Sequence, residues 1–362
     1  MKFHLQKKTM MISHSNDIDD DIFDDYDVPH NIEKELKTAV YPVTEEEAFN
    51  VPIQYDDDDS IPIPEEEKEL VVSCSLIKEL MYNGTEIDYC PNYIYHKYLL
   101  NEKVMEPSEA MTKGSFGETV LLGGSARGQS TPDLPRKRNG TKTIDQERIE
   151  AQCLNAENIA KLRNINIIKG VNTQVLLFKK VKLQNGRDEA KEITFRGELD
   201  LFPTTFINDD GDLEVVIIDI KFIQNIVTPK NFLTGEAMWG NFQEMDDTQG
   251  VGYLYLIKDI DWSINTHISA ELRKLIEQLT DRKVSFYFWV FDYKRKIEEI
   301  ENKFFEVKYN PMKEKEFMER IRKTISIFEF HTKMNDWDRK IPCKSCGNCI
   351  LPCTYKNRIE SK

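Results

Sequence analysis

Residues 215–222 read VVIIDIKF, a β-branched, apolar run with one aspartate and one lysine. It carries no glycine or proline, and turn residues flank it, so a strand is predicted over 213–223. Successive side chains on a strand alternate, which puts Asp219 and Lys221 on one face and Ile218 and Ile220 on the other. A charged pair inside so apolar a strand is costly to bury unless it is paired or bound to a metal. Taken alone, a D-x-K triplet in a chain this charged reads as a surface ion pair.

The neighbouring segments change that weighting. FRGELDLF (195–202) is a second strand pattern, with Asp200 three residues after Gly197. The turn residues Asn208, Asp209, Asp210 and Gly211 predict a hairpin that brings Asp200 beside Asp219. Two carboxylates so placed repel, and a divalent cation relieves the repulsion. Their hard oxygens suit Mg²⁺ or Mn²⁺. Upstream, KGSFGETVLLGG (113–124) puts Gly114 and Glu118 on one helix face, with Gly114 expected to let that face approach another element closely. Downstream, DDTQGVGYLY (246–255) puts Gln249 and Tyr253 on one helix face. Each piece has a plain reading: a solvated Glu118, ordinary helix residues, a core Tyr253.

Around this centre the periodicity predicts helices over 73–82, 91–100, 109–122 and 144–163. Strands follow over 174–183, 194–202 and 213–223, then a helix over 236–256, strands over 284–294 and 303–309, and a long helix over 311–332. This order fits one mixed α/β domain, a central mixed β-sheet flanked by helices, over 71–362. There is no internal repeat.

The chain has 362 residues and a formal net charge of −14. Residues 1–70 hold 20 Asp plus Glu against 6 Lys, which accounts for the whole imbalance; residues 71–362 hold 43 charges of each sign. The acidic runs NDIDDDIFDDYD, TEEE, DDDD and PEEEKE predict a disordered, solvated arm over 1–70. Such an arm is a solubility or interaction tail, or a polyanion that lies over a cationic groove and competes with nucleic acid. A neutral body leaves nucleic-acid binding open. The longest strongly apolar run, SFYFWVF at 285–291, falls far short of the ~20 residues a membrane helix needs. The N-terminal MKFHLQKKTMMISHSN lacks the apolar segment of a secretory signal. A soluble cytoplasmic protein is therefore expected.

Four of the seven cysteines crowd into PCKSCGNCILPC (342–353), as Cys343, Cys346, Cys349 and Cys353. The spacing C-x2-C-x2-C-x3-C fits a metal better than disulfides, and both zinc and iron–sulfur clusters use thiolates. It equals the bacterial ferredoxin run, except that Thr354 stands where proline usually follows. Cys90 opens CPNYIYHKYLL well upstream, while Cys74 and Cys153 read as buried apolar residues. Arg136, Lys137, Arg138 and Lys142 form the densest basic stretch and either track a phosphate backbone or line a solvated loop. The basic residues of the last helix, Lys313 and Arg320 among them, alternate with glutamates and read as a solvated face. Tyr93, Tyr95 and Tyr98 suit base stacking, or more simply core packing.

The order G-x-x-x-E, G-x-x-D, D-x-K, Q-x-x-x-Y resembles the PD-(D/E)XK nuclease superfamily, in its RecB-like branch, over roughly 73–353. The resemblance implies a restriction-endonuclease-like core in a phage or bacterial protein, placed in the host cytoplasm if phage-encoded. By position, Asp200 and Asp219 match the metal-binding carboxylates and Glu118 the early acidic position, where many members carry His. Lys221 matches the lysine that positions or activates the attacking water and stabilises the transition state. Gln249 and Tyr253 match the motif that supports the site and contacts DNA. Phe222 stands where many relatives have a small or hydroxyl residue. The implied activity is a metal-dependent deoxyribonuclease, an exonuclease on DNA ends or single strands in recombination, repair or phage DNA processing. Its partners would be DNA and a helicase, recombinase or single-strand-binding protein.

The cysteines resemble the AddB-type iron–sulfur arrangement, one Cys ahead of the nuclease core and three behind it as C-x2-C-x5-C. That implies a [4Fe–4S] cluster on four of Cys90, Cys343, Cys346, Cys349 and Cys353; the alternative is Zn²⁺ on the C-terminal four. Here six residues, not five, separate Cys346 from Cys353, so the set of four stays open. A different class of function also stays open: a non-catalytic, Fe–S- or zinc-stapled DNA-binding or scaffolding protein.

Overall fold

A computed structural model of the chain describes residues 70–80, 89–124, 132, 134, 136–138, 140–183, 191–223, 226, 247–280, 282–294, 296–300, 302–341 and 349–352. All of them belong to one unit of the chain, Tyr55–Lys362. The expected acidic arm lies outside the described residues, apart from Leu70.

The sheet is built around one long strand. β1 (Val71–Ser73), β2 (Thr173–Leu183), β3 (Lys191–Ile207), β4 (Leu213–Ile223), β5 (Val284–Asp292) and β6 (Asn302–Glu306) form it. The order is β1-β3-β4-β5-β6, and β2 pairs with β3 off that line. β1 runs parallel to β3, β3 antiparallel to β4, β4 parallel to β5 and β5 antiparallel to β6. The β3–β4 hairpin forms as its sequence predicts. Asn208 Oδ1 accepts from the amides of Asp210 and Asp212 at 3.0 and 2.9 Å, and Gly211 takes φ +85°, a left-handed turn conformation that costs glycine little. β3 is longer than expected and continues through a register shift between Leu201 and Thr204, at Phe202-Pro203.

Helices cover both faces, so the alternation of β4 and β5 divides two cores. On one side α3 (Glu109–Leu122) and α4 (Ile144–Leu162) meet Ile218, Ile220, Phe222, Trp289 and Phe291. On the other, α1 (Cys74–Glu79), α5 (Thr248–Leu256), α6 (Ala270–Thr280) and α7 (Pro311–Met334) meet Ile217, Phe286, Phe288 and Val290. Burying a large side chain such as Trp289 stabilises the fold by about 1.5–3 kcal/mol. Its indole N–H is also satisfied, donating to Asn302 Oδ1 at 3.0 Å.

Several expected boundaries move. The helix expected over 73–82 spans Cys74–Glu79, capped by Ser73, whose hydroxyl accepts from the Leu76 amide at 3.3 Å. The one expected over 91–100 is a single α turn, α2 (Pro91–Ile94), running into a wide π turn, Tyr95–Leu99. Of the helix expected over 236–256, Thr248–Leu256 is described. Among the described residues no helix is long and apolar enough to cross a membrane.

Candidate active site

Four elements deliver the charged and polar side chains of the site to one place. Leu201 pairs with Ile218 in the antiparallel register, so Asp200 and Asp219 lie side by side on β3 and β4. Asp200 Oδ2 accepts from the Ile220 amide at 2.7 Å, across that same strand pair. Asp219 is buried to 1% exposure, and the Lys221 ammonium forms an ion pair with its Oδ2. The surface-pair reading of the triplet therefore fails. Gln249 Nε2, from the first turn of α5, donates to Asp219 Oδ1 and lies 3.1 Å from the Tyr253 hydroxyl oxygen. Glu118, half-buried on α3, lies within electrostatic reach of Asp219 and Lys221.

Close packing sets these elements at their distances. A Cβ on Gly197 would stand 2.8 Å from the Tyr253 ring, so only glycine lets α5 approach β3 this closely. The approach of α3 depends on Gly117, not on Gly114. A Cβ on Gly117 would lie 2.7 Å from the Phe222 ring, whereas one on Gly114 would have ordinary contact at 3.8 Å. Phe222 thus fills the space beside Gly117. It stacks on Phe291 with ring centroids 4.8 Å apart.

The crowding of carboxylates shows in their titration. Burial raises Asp200 well above the usual carboxylate range; Asp219 and Glu118 add to this, against Lys221. Burial also raises Glu118, with Lys221 opposing and with Asp219 and Glu198 adding. For Lys221, burial acts downward, but Asp219, Asp200 and Glu118 overcome it and hold the amine protonated. A locked ammonium cannot deprotonate water; it can hold an anion and stabilise negative charge. Burial and the neighbouring Asp219 likewise keep the Tyr253 hydroxyl protonated. Glu198 was not among the expected site residues. It stands two residues before Asp200 on β3, and period-two alternation would have placed it on the same face.

No family model matches the sequence, and no curated protein matches it. Among solved structures the chain is similar to a crystal structure named "Putative exonuclease" from Eubacterium rectale. The identity is 13% and the TM-score 0.46, over 80% of this chain and 88% of that one. At that level of likeness, the chemistry of the site itself has to carry the functional reading.

Asp200, Asp219 and Glu118 offer hard oxygen donors that fit Mg²⁺ or Mn²⁺ in kind. Among the described residues no three acidic, His or Cys side chains already converge as a metal cage. The raised carboxyls carry a testable consequence. A raised carboxyl contributes stability that is fully present below the unfolded carboxylate range and lost as pH rises through its folded value. Asp200→Asn cannot ionise, yet it keeps an oxygen for the Ile220 amide. At pH 7.5 in chelator it should melt about 2–6 °C above wild type, with the difference vanishing near pH 4. Thermal melts at the two pH values test this, and a wild type that is the more stable at pH 7.5 would contradict it.

The remaining candidates separate. Arg136, Lys137, Arg138 and Lys142 are exposed; Arg136 donates to the Gly140 carbonyl at 3.3 Å and Lys142 pairs with Glu150 at 2.6 Å. Tyr93 is buried, in line with core packing. Cys74 and Cys153 are buried as expected, and burial pushes the Cys153 thiol up to about 12. Cys90 and Cys349 fall in one buried cluster with Leu76, Tyr93, Val104 and Phe328. Strand-like pairing of Met105 with Cys349 and an Ile350 amide to Val104 carbonyl bond of 2.9 Å join residues 349–350 to 104–105. Cys343, Cys346 and Cys353 lie outside the described residues.

Proposed function

We propose that this protein is a metal-dependent DNA nuclease with a PD-(D/E)XK core of the RecB-like kind, acting as an exonuclease on DNA ends or single strands. One observation carries the reading: Asp200, Asp219, Lys221 and Gln249, from β3, β4 and α5, meet in a largely buried spot with Glu118 beside them. A structural role gives no reason to bury so many charges together. Asp200, Asp219 and Glu118 would hold Mg²⁺ or Mn²⁺, which when bound acidifies water and neutralises charge on the phosphate. Lys221 supplies a fixed positive charge to the developing phosphorane, and Gln249 orients the Asp219 carboxylate. Arg136, Lys137, Arg138 and Lys142 would meet the phosphate backbone further out, with Gln249 and Tyr253 nearer the bond. A helicase, recombinase or single-strand-binding protein would present the DNA end.

End-labelled single- and double-stranded DNA, incubated with the full chain and Mg²⁺ or Mn²⁺, tests this. Cleavage that starts from ends and stops in chelator is the expected result. Tight DNA binding with no cleavage in either cation would turn the reading into the scaffolding alternative.

The same proposal places a [4Fe–4S] cluster on Cys90 and three of the C-terminal cysteines. The shared burial of Cys90 and Cys349 supports it, since the cluster would join segments already packed together. Anaerobically purified protein should be brown, with about four irons per chain, and Cys90→Ser should lose most of that iron. One zinc per chain, unchanged in Cys90→Ser, would favour the local zinc site.

A further inference from the structure

We infer that Arg320, on the last helix, is a positioning residue that sets the place of Gln249 and through it the orientation of the Asp219 carboxylate. The inference rests on the nuclease reading of that site. The sequence assigns Arg320 to a solvated face; the structure turns it inward. Arg320 Nη1 donates to Thr248 Oγ1 at 2.6 Å and lies 3.6 Å from Asp247 Oδ1. Lys313, two turns earlier on α7, pairs with Asp247 Oδ2 at 2.7 Å. Thr248 is fully buried, so its hydroxyl is not shared with bulk water.

These contacts fall where α5 begins. A helix start leaves its first amides without intrahelical partners, and a side-chain oxygen one residue ahead commonly takes one of them. Asp247 holds that cap position but makes no such bond. Its carboxylate turns to Lys313 and Arg320 instead, so the start of α5 is held from α7. Gln249 follows directly, reaching Asp219 Oδ1 with Tyr253 at 3.1 Å.

The rest of α5 is packed without slack. A Cβ on Gly250 would lie 2.8 Å from Phe286 and Val307, and one on Gly252 would lie 2.6 Å from Cys74 Sγ and 2.9 Å from Phe317. Packing of that kind fixes how far the helix stands from its neighbours. The first turn, which lacks a side-chain cap, is placed by its polar contacts with α7, which is where Arg320 acts. Hydrogen bonds weaken steeply with misalignment, so a small turn of α5 would release Asp219 Oδ1.

The test uses the full chain. Arg320→Ala should lower kcat on DNA about 10–50-fold with KM for DNA little changed, and Arg320→Lys should recover part of the loss. In Gln249→Ala the further change Arg320→Ala should cost less than threefold, because both act on the same contact. Independent, multiplicative losses would overturn the inference. A second readout does not need activity. In ¹⁵N-labelled protein the Gln249 side-chain amide signals, assigned by their absence in Gln249→Ala, should shift in Arg320→Ala and move back towards wild type in Arg320→Lys. Unmoved signals refute the linkage even if cleavage falls. Shifted signals in a protein that never cleaves DNA would uphold the linkage and remove the nuclease reading instead.

Discussion

Lys221→Ala should reduce metal-dependent DNA cleavage by about 10²–10³-fold, the usual cost of removing one fixed charge aimed at a developing anion. Lys221 is held protonated by three carboxylates, so its contribution is charge and not base strength. The loss should persist across pH 6–9 (roughly the range of a routine assay, well below the ordinary lysine value), and extra Mg²⁺ should not restore it. The same change leaves the buried Asp219 carboxylate without its counter-ion, so the melting temperature should fall as well. Circular dichroism at the assay temperature separates the two effects. A folded Lys221→Ala protein that cleaves within tenfold of wild type would take Lys221 out of the chemistry.

Gly117→Val should be the most damaging single change at α3, at about 2–3 kcal/mol, near the upper end for overpacking a core. Its Cβ would stand 2.7 Å from the Phe222 ring, and Phe222 is backed by Phe291 in a stack and has little room to retreat. Valine is a better helix former than the glycine it replaces, but the few tenths of a kcal/mol gained offset little of this overpacking. Glu118 is the next residue, so the helix shift should weaken cleavage along with stability. The pairing predicts its own rescue: with Phe222→Ala in the same chain, Gly117→Val should cost much less than it does alone. Chemical denaturation of the four proteins measures the coupling. Losses that simply add would mean that the helix yields elsewhere.

The sheet and most of the site are legible in the sequence for one reason. β3, β4 and β5 are buried on both sides, and any charge left inside such strands stands out against the apolar run. Asp219, Lys221 and Asp200 are visible on that ground, and Gln249 and Tyr253 through their helical spacing. What escapes depends on contacts between distant elements. Gly117 and Gly114 are equivalent in the sequence, and only the Phe222 ring distinguishes them. Arg320 sits among glutamates, and its partner Thr248 lies 72 residues away. β1 has three residues, too few for any period, and is defined by its pairing with Thr194–Arg196. Helix α6 escapes for a lesser reason. Leu272, Ile276 and Leu279 recur at helical spacing within Ala270–Thr280, so the signal was present. Glu198 is a similar case, readable by alternation from Asp200.

The clamp on α5 also bears on when the protein becomes active during its own synthesis. Asp200, Asp219 and Gln249 leave the ribosome well before Arg320 does. Until α7 follows, the start of α5 lacks Lys313 and Arg320, and the core that Phe317, Ile321 and Ile325 complete is still open. A nascent chain carrying every acidic residue of the site would therefore be a poor catalyst. Under the nuclease reading, competence would arrive only once α7 has been made and has docked on the start of α5.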